Sequence, residues 1–225
     1  MAVITISREL GSEGSLVAKL AAQALDYHFA DESTIETMLK GYGLVKFDED
    51  YQKVPGFWDQ FDIGKNEERE TFLMMLNHSM LALAGHGDVV IVGRGGFAVL
   101  AGLVDVLNIR IQAPLSVRIE RAEDLPSLPE RGRAAGLVKG NDRIQKTFIE
   151  SVYGVHWDTA TAFDLVIDTG KISPALASNL IVEAVRAMPV PRMRGGARSA
   201  AELQVDTVLA LTVHEVLHCE EVHVG

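Results

Sequence analysis

An apolar strand, a glycine-containing turn and a helix follow one another directly near the start of the chain, in the segment ITISRELGSEGSLVAKL of residues 4–20. We predict a strand over Ala2 to Ile6, a loop over Ser7 to Gly14 and a helix over Ser15 to Leu25. A tight loop between a strand and a helix directs several backbone N–H groups to one point, where the helix dipole also favours negative charge. The segment therefore predicts a phosphate-binding loop, although a simple left-handed turn would require the same glycines.

The loop lacks the cation of the common nucleotide-binding pattern G-x-x-x-x-G-K-[ST]. Ser15 and Leu16 follow Gly14 at the places where that pattern has its lysine and its magnesium-binding hydroxyl. Arg8, near the start of this loop and ahead of its glycines, is a candidate to supply the missing charge.

Apolar strands alternate with helices along most of the chain. We predict further strands over Tyr27 to Ala30, Val89 to Val92, Val106 to Ile111 and Phe163 to Asp168, and further helices over Thr34 to Lys40, Glu67 to Ala84, Leu115 to Ala122 and Pro174 to Ala187. Uninterrupted apolar strands such as VVIV are typical of a parallel sheet that is buried on both faces. The sequence thus predicts an α/β fold with a doubly wound parallel sheet.

Three segments interrupt or follow this alternation. Residues 44–65 are irregular and contain five aromatic side chains, and we predict a separate subdomain there. Residues 123–141 combine proline and glycine with basic side chains, so they form either a loop that closes over an anion or an ordinary solvated loop. Residues 189–198 contain two prolines and two glycines and are predicted to be a linker.

Residues 199–225 look like an appended, incomplete module. An amphipathic helix, in the module or as a partner-binding element, is predicted from the spacing of Leu203, Val208, Leu211 and Val216. The run HEVLH, from His214 through Glu215 to His218, also spells H-E-x-x-H, which on a helix places two imidazoles on one face for zinc. No spaced third ligand follows it, so a zinc hydrolase is the last of the alternatives and we predict no metal site in the protein itself.

The charge and cysteine content exclude some classes of protein. A formal net charge of −10 argues against general nucleic-acid binding, which needs a basic face, whereas a small anionic ligand needs only a local cluster of arginines. No apolar run approaches the roughly 20 residues of a membrane helix, and Met1 leads directly into a strand without a targeting pattern. Cys219 is the single cysteine, which excludes an internal disulfide. We predict a cytoplasmic protein without nucleic-acid or membrane partners, and a homodimer stays open.

Five segments carry a resemblance to a known family. They read ITISRELGSEGS, DYHFAD, VVIVGRGG, IRIQAPLSVRIERA and YGVHWDTATAFDLVIDTGKIS. In this order, over residues 2–185, they resemble the cytidylate-kinase-like family of P-loop proteins. The resemblance implies a P-loop NTPase-type parallel sheet flanked by helices, in a domain of residues 1–188 with an inserted acceptor-binding subdomain at 35–85 and a lid at 123–146. It also implies ATP and Mg²⁺ as cofactors and a small-molecule nucleotide as substrate.

The resemblance also assigns roles to single residues. The donor-phosphate loop would comprise Gly11, Ser12, Glu13, Gly14 and Ser15, with Arg8 beside it. Arg94 matches the arginine that holds the acceptor phosphate in cytidylate kinases. Asp31 falls beside the acceptor site, but an aspartate before Glu32 is equally an ordinary helix N-cap. With Arg94, the candidates for catalytic cations are three residues of the lid, Arg131, Arg133 and Arg143.

Three departures from the family pattern remove positive charge from the donor side. Glu13 stands where relatives carry glycine, Ser15 where they carry a basic residue, and Gln145 where the lid pattern D-x-x-R, here starting at Asp142, has its arginine. Two unit charges about 4 Å apart interact by roughly 4 kcal/mol at an effective dielectric constant near 20, so an inward-pointing Glu13 would repel a polyphosphate. We therefore expect a nucleotide kinase-like phosphotransferase, with a catalytically weak or inactive nucleotide-binding regulatory protein as the alternative.

Overall fold

Five parallel strands form one sheet in the computed structural model, which describes residues 2–41, 66–93, 95–124, 132–188 and 198–220. The strands are β1 (Val3–Arg8), β2 (His28–Ala30), β3 (Val89–Val92), β4 (Val106–Gln112) and β5 (Leu165–Asp168). They lie in the order β2-β3-β1-β4-β5, and every neighbouring pair is parallel. The predicted α/β fold with a parallel sheet is confirmed.

Eight helices connect and cover these strands in the described part of the chain. They are α1 (Gly14–Leu25), α2 (Glu32–Gly41), α3 (Asn66–His86), α4 (Gly96–Val99), α5 (Leu115–Glu123), α6 (Ala134–Tyr153), α7 (Pro174–Ala187) and α8 (Thr207–Glu220). Helices α1 and α7 cover one face of the sheet, and α2, α3 and α8 pack on the other. All four residues of β3 are buried, as expected for a strand that is covered on both faces.

Strand β1 is longer than the sequence predicts. It continues past Ile6 to Arg8, and Arg8 pairs with Ile111 of β4. The prediction placed Ser7 and Arg8 in the loop because polar side chains usually mark the end of a buried strand. Here the extra residues bring Arg8 to the carboxyl end of the sheet, beside the loop that follows.

The prediction of a loop over residues 123–141 is wrong in its second half. Helix α6 begins at Ala134, so residues 134–141 are helical despite their two glycines. Ala134 and Val138 are fully buried against Ala122 of α5, and this packing stabilises the first turns of the helix. Residues 125–131 lie outside the described part of the chain.

The C-terminal helix packs on the body of the protein through residues other than those whose spacing predicted it. Val208 and Leu211, two residues of the predicted amphipathic pattern, are 60% and 59% exposed. The buried residues of α8 are Leu209, Val213 and Leu217, which belong to the same apolar cluster as α2 and α3.

Among the described helices, none is long and apolar enough to cross a membrane.

Candidate phosphate-binding site

The candidate site lies where the direction of the chain connections changes. After β1 the chain passes to β2 at one edge of the sheet, whereas after β3 it passes to β4 on the other side of β1. The carboxyl ends of β1 and β3 therefore form a crevice, and such a crevice is where parallel sheets bind ligands. Arg8 ends β1, and Gly93 follows β3 directly.

The loop between β1 and α1 is held in one conformation by hydrogen bonds. The buried Ser12 hydroxyl donates to the Glu9 carbonyl at 2.7 Å, and the Thr169 hydroxyl donates to the Ser12 carbonyl at 2.7 Å. Gly11 and Glu13 both have left-handed backbone angles, with φ of 81° and 58°. Helix α1 then begins at Gly14, and the N–H groups of its first turn have no acceptor within the helix. The predicted succession of a strand, a tight turn and a helix is thus present.

Two loop positions have no space for a side chain. A Cβ atom on Gly11 would lie 2.5 Å from the Arg118 carbonyl oxygen, and one on Gly14 would lie 2.5 Å from the Arg8 Cβ. These contacts seat the loop directly on α5 and on the end of β1. Both glycines are therefore required by packing as well as by the turn.

The Arg8 side chain lies beside the loop. Its Nε donates to the Ser15 hydroxyl at 2.9 Å, and a Cβ on Gly93 would lie 2.8 Å from its Nη1. Burial lowers the pKa of the Arg8 guanidinium, and the nearby Asp31 carboxylate partly opposes this effect. Among the described residues, no carboxylate lies within ion-pair distance of Arg8. A partly buried cation without an ion-pair partner is suited to bind an anionic ligand.

Glu13 is paired with a cation. Its Oε2 lies 3.0 Å from Nη2 of Arg121, a residue of α5 that the sequence analysis did not select. Arg121 also donates to the carbonyls of Gly11 at 3.3 Å and Thr169 at 2.9 Å. The expected repulsion of a polyphosphate by Glu13 is therefore weakened, because an adjacent guanidinium neutralises the carboxylate.

Asp31 has the geometry of a helix N-cap. Its Oδ1 accepts hydrogen bonds from the Ser33 backbone N–H at 2.9 Å and from the Ser33 hydroxyl at 2.6 Å. The Thr34 N–H is 3.4 Å from the same atom. The structure therefore places Asp31 at the carboxyl end of β2, where it starts α2 and acts electrostatically on Arg8.

Of the four other predicted cations, two lie outside the described residues and two are exposed. Arg94 and Arg131 lie outside the described residues. Arg133 and Arg143 are described and exposed, at the start and in the middle of α6. Gln145, which replaces the lid arginine of the family pattern, donates to Asn141 at 3.0 Å.

A network of charged residues beneath the loop was missed. Glu9 bridges two buried arginines, with Oε1 3.0 Å from Arg110 Nη2 and Oε2 3.1 Å from Arg118 Nε. Arg118 also forms a two-pronged ion pair with Asp142, with both N–O distances 2.9 Å. The network joins the loop, β4, α5 and α6. The sequence feature that could have indicated this network is Arg110, a cation inside the apolar strand VLNIRIQ.

Arg110 also packs against Trp157, one of the two tryptophans. Its guanidinium lies 4.8 Å from the centre of the Trp157 ring and donates to the Trp157 carbonyl. Trp157 is 6% exposed, so it is a packing residue. Trp58 lies outside the described residues.

The HEVLH run does not form a metal site in the described part of the chain. His214 is exposed, and its ring centre lies 6.3 Å from that of His86. The described residues contain no group of three or more His, Cys, Asp or Glu side chains that could hold a metal ion. The side chains of His218 and Cys219 lie outside the description.

The chain is similar to one family model and to several known proteins. A family model described as the cytidylate kinase-like family matches residues 3–171. Cytidylate kinase from Halobacterium salinarum is 27% identical over 198 residues, which are 86% of this chain and 94% of that protein. Among solved structures, an uncharacterized protein from Eubacterium ventriosum is 17% identical with a TM-score of 0.64, covering 83% of this chain and 99% of its own. Shikimate kinase from Bacteroides thetaiotaomicron is 12% identical with a TM-score of 0.51, covering 82% and 98%. These two structures share the fold.

Proposed function

Because the chain belongs to the cytidylate kinase-like family, we propose that it transfers the γ-phosphoryl group of ATP to a nucleoside monophosphate or a related small phosphate acceptor. The observation that carries this proposal is Arg8, a partly buried guanidinium without a described ion-pair partner, bonded to Ser15 at the mouth of the loop. It supplies the positive charge that the loop otherwise lacks.

The donor side of the reaction uses the loop and Arg8. The N–H groups at the start of α1, from Gly14 onward, and the guanidinium of Arg8 would bind the donor phosphates. The enzyme's task in phosphoryl transfer is to align the two reactants and to neutralise the transferring group, and Mg²⁺ bound with ATP adds charge to that group. The residues present fit a polyphosphate, since Glu13 is paired with Arg121.

Fewer described contacts support the assignment of the acceptor side than support that of the donor side. In the sequence Arg94 comes directly after Gly93, the residue that follows β3, and we assign it the acceptor phosphate because it matches the acceptor arginine of the family. Asp31 lies at the neighbouring strand end, next to the acceptor. The lid would carry Arg131, Arg133 and Arg143 over the donor phosphates within residues 123–146, and residues 35–85 would hold the acceptor base. The cytoplasmic location and a homodimer stay predictions.

A coupled assay over a panel of nucleoside monophosphates with ATP and Mg²⁺ tests the function, with ATP binding measured by calorimetry. We expect turnover with at least one acceptor. No turnover by the folded protein would overturn the proposal. In that case, retained ATP binding would identify a nucleotide-binding regulatory protein, whereas loss of ATP binding would remove the donor site as well.

Replacing Glu13 by glutamine is expected to tighten ATP binding by about three- to tenfold, because an anion next to the donor phosphates is removed and Arg121 is released toward them. The magnitude is modest because the Glu13 and Arg121 side chains are 36% and 27% exposed and water screens their charges. Calorimetric titration with ATP at constant ionic strength measures the effect.

Glu183→Gln is the matched control for this change. Glu183 forms an ion pair with Arg186 on α7 at 3.4 Å, both side chains being exposed. The control also removes one negative charge, but it removes that charge from α7 and not from the loop. Its ATP affinity should therefore equal that of the wild type. An ATP affinity of Glu13→Gln that is equal to or weaker than that of the control contradicts the assignment of the loop.

A further inference from the structure

The segment of residues 198–220 packs against the helices of the acceptor side, although it lies beyond the part of the chain that matches the family model, residues 3–171. We propose that this segment, here called the C-terminal brace, holds α2 in the position that acceptor binding requires. The inference rests on the proposed function, because it assumes that the acceptor binds beside Asp31 at the start of α2.

Apolar contacts form the first part of the brace. Leu209, Val213 and Leu217 of α8 are at most 4% exposed. They join the apolar cluster that contains Ile35, Met38 and Leu39 of α2 and Leu76, Met80 and Leu83 of α3. Removal of these side chains from water stabilises the packed arrangement of the three helices. Because α8 contacts both α2 and α3, it fixes the position of one relative to the other.

A buried carboxylate anchors the start of the brace. Asp105, just before β4, accepts hydrogen bonds from the Ser199 hydroxyl at 2.6 Å and from the Ala200 N–H at 2.7 Å. Burial raises the pKa of Asp105, but these hydrogen bonds outweigh burial and leave the pKa below its usual value. Arg198 adds backbone pairing, since its carbonyl accepts from the Val104 N–H at 3.0 Å. The anchor thus ties the brace to the central sheet.

The path from the brace to the crevice is short. Helix α2, on which α8 packs, begins at Glu32, and the carboxylate of Asp31 caps its first turn. Asp31 follows Ala30, which pairs with Ile91 in the sheet. A shift of α2 therefore displaces the side chain of Asp31, beside which the acceptor is proposed to bind.

The donor loop rests on other elements. Its contacts are with Arg118 and Arg121 of α5 and with Thr169 after β5. The principal contacts of α8 are with α2, α3 and β2. Loosening the brace should therefore weaken acceptor binding and leave ATP binding intact, which a general loss of stability would not do.

The test compares Val213→Asp with Val208→Asp in the full chain. Both variants place one carboxylate on α8, but Val213 is fully buried and Val208 is 60% exposed. For Val213→Asp we expect KM for the best nucleoside monophosphate to rise about tenfold, with KM for ATP changing less than about twofold. Hydrogen exchange in residues 31–41 should become faster. Val208→Asp should change none of these quantities.

Asp105→Asn gives a second route that leaves the apolar contacts intact. It replaces one accepting oxygen by an NH₂ group in front of Ser199 and Ala200, so it should produce the same changes to a smaller degree. Faster exchange in residues 31–41 with an unchanged acceptor KM overturns the brace, because α8 would then be merely structural. Unchanged exchange in both Val213→Asp and Asp105→Asn also overturns it.

The failure of the proposed function would look different. If the wild type turns over no nucleoside monophosphate, the phosphotransferase proposal falls and acceptor KM has no meaning. Exchange in residues 31–41 and calorimetric binding of CMP then decide the brace. Exchange that becomes faster together with weaker CMP binding in Val213→Asp supports it, and any other combination overturns it.

Discussion

Arg8→Met is expected to lower kcat/KM by about 10³-fold, the scale on which a single arginine acts on a transferring phosphoryl group. The side chain lies between the Ser15 hydroxyl and Gly93, at the crevice between the carboxyl ends of β1 and β3. Methionine fills a similar space without charge. Because burial already lowers the pKa of Arg8, the cation costs stability, and its removal should leave the free energy of unfolding unchanged or raise it.

Two further variants separate charge from geometry at this position. Arg8→Lys keeps the charge but loses the planar fork, so we expect a loss of kcat/KM of about tenfold. Arg186→Met removes an exposed cation from α7 and should leave the activity unchanged. The measurements are steady-state kinetics and urea unfolding of all variants. If Arg8→Met destabilises the protein and keeps its activity, Arg8 is a structural residue and the donor site must lie elsewhere.

Most of the sheet could be predicted from the sequence because buried parallel strands are recognisable as short apolar runs. The run VVIV is β3 without a change of boundary, and all of its residues are buried. The turn before α1 was equally visible, since a tight turn between a strand and a helix depends on local backbone geometry. These features are encoded by residues that are adjacent in the chain, so the pattern alone is sufficient to find them.

The charged residues around the loop could not be paired from the sequence. Glu9 meets Arg110, and Glu13 meets Arg121, across about a hundred residues of chain in each case, by the sheet and helix packing. The sequence therefore left open whether Glu13 would repel a polyphosphate. An ion pair of this kind is set by tertiary structure, and spacing in the sequence carries no information about it.

The buried face of α8 could not be predicted for a different reason. Apolar residues surround much of this helix, including Val208, Leu209, Leu211, Val213 and Leu217. Helical periodicity selects a face only when the opposite face is polar. The choice between the two stripes is made by the fit of Leu209, Val213 and Leu217 against α2 and α3, which no local pattern reports.

Gly11→Ala is expected to lower the free energy of unfolding by at least about 2 kcal/mol more than Gly102→Ala does, because the added Cβ atom overpacks a rigid contact. The two glycines have nearly the same left-handed backbone, with φ of 81° and 78°. Alanine therefore pays the same conformational cost at both, about 1–2 kcal/mol. At Gly102 a Cβ meets nothing within 4 Å, whereas at Gly11 it meets the Arg118 carbonyl oxygen at 2.5 Å.

The clash at Gly11 also has a functional consequence, because backbone cannot yield as a flexible side chain can. Relief requires the loop to move away from α5, which breaks the bond of Arg121 to the Gly11 carbonyl and turns the N–H groups of α1 away from the donor phosphates. ATP affinity should fall by about 10²-fold in Gly11→Ala, since several phosphate contacts are lost together. It should stay unchanged in Gly102→Ala. Urea unfolding and calorimetric titration measure the two effects separately. Equal destabilisation of the two variants, or full ATP affinity in Gly11→Ala, would mean that the loop is not seated on Arg118 as the structure has it.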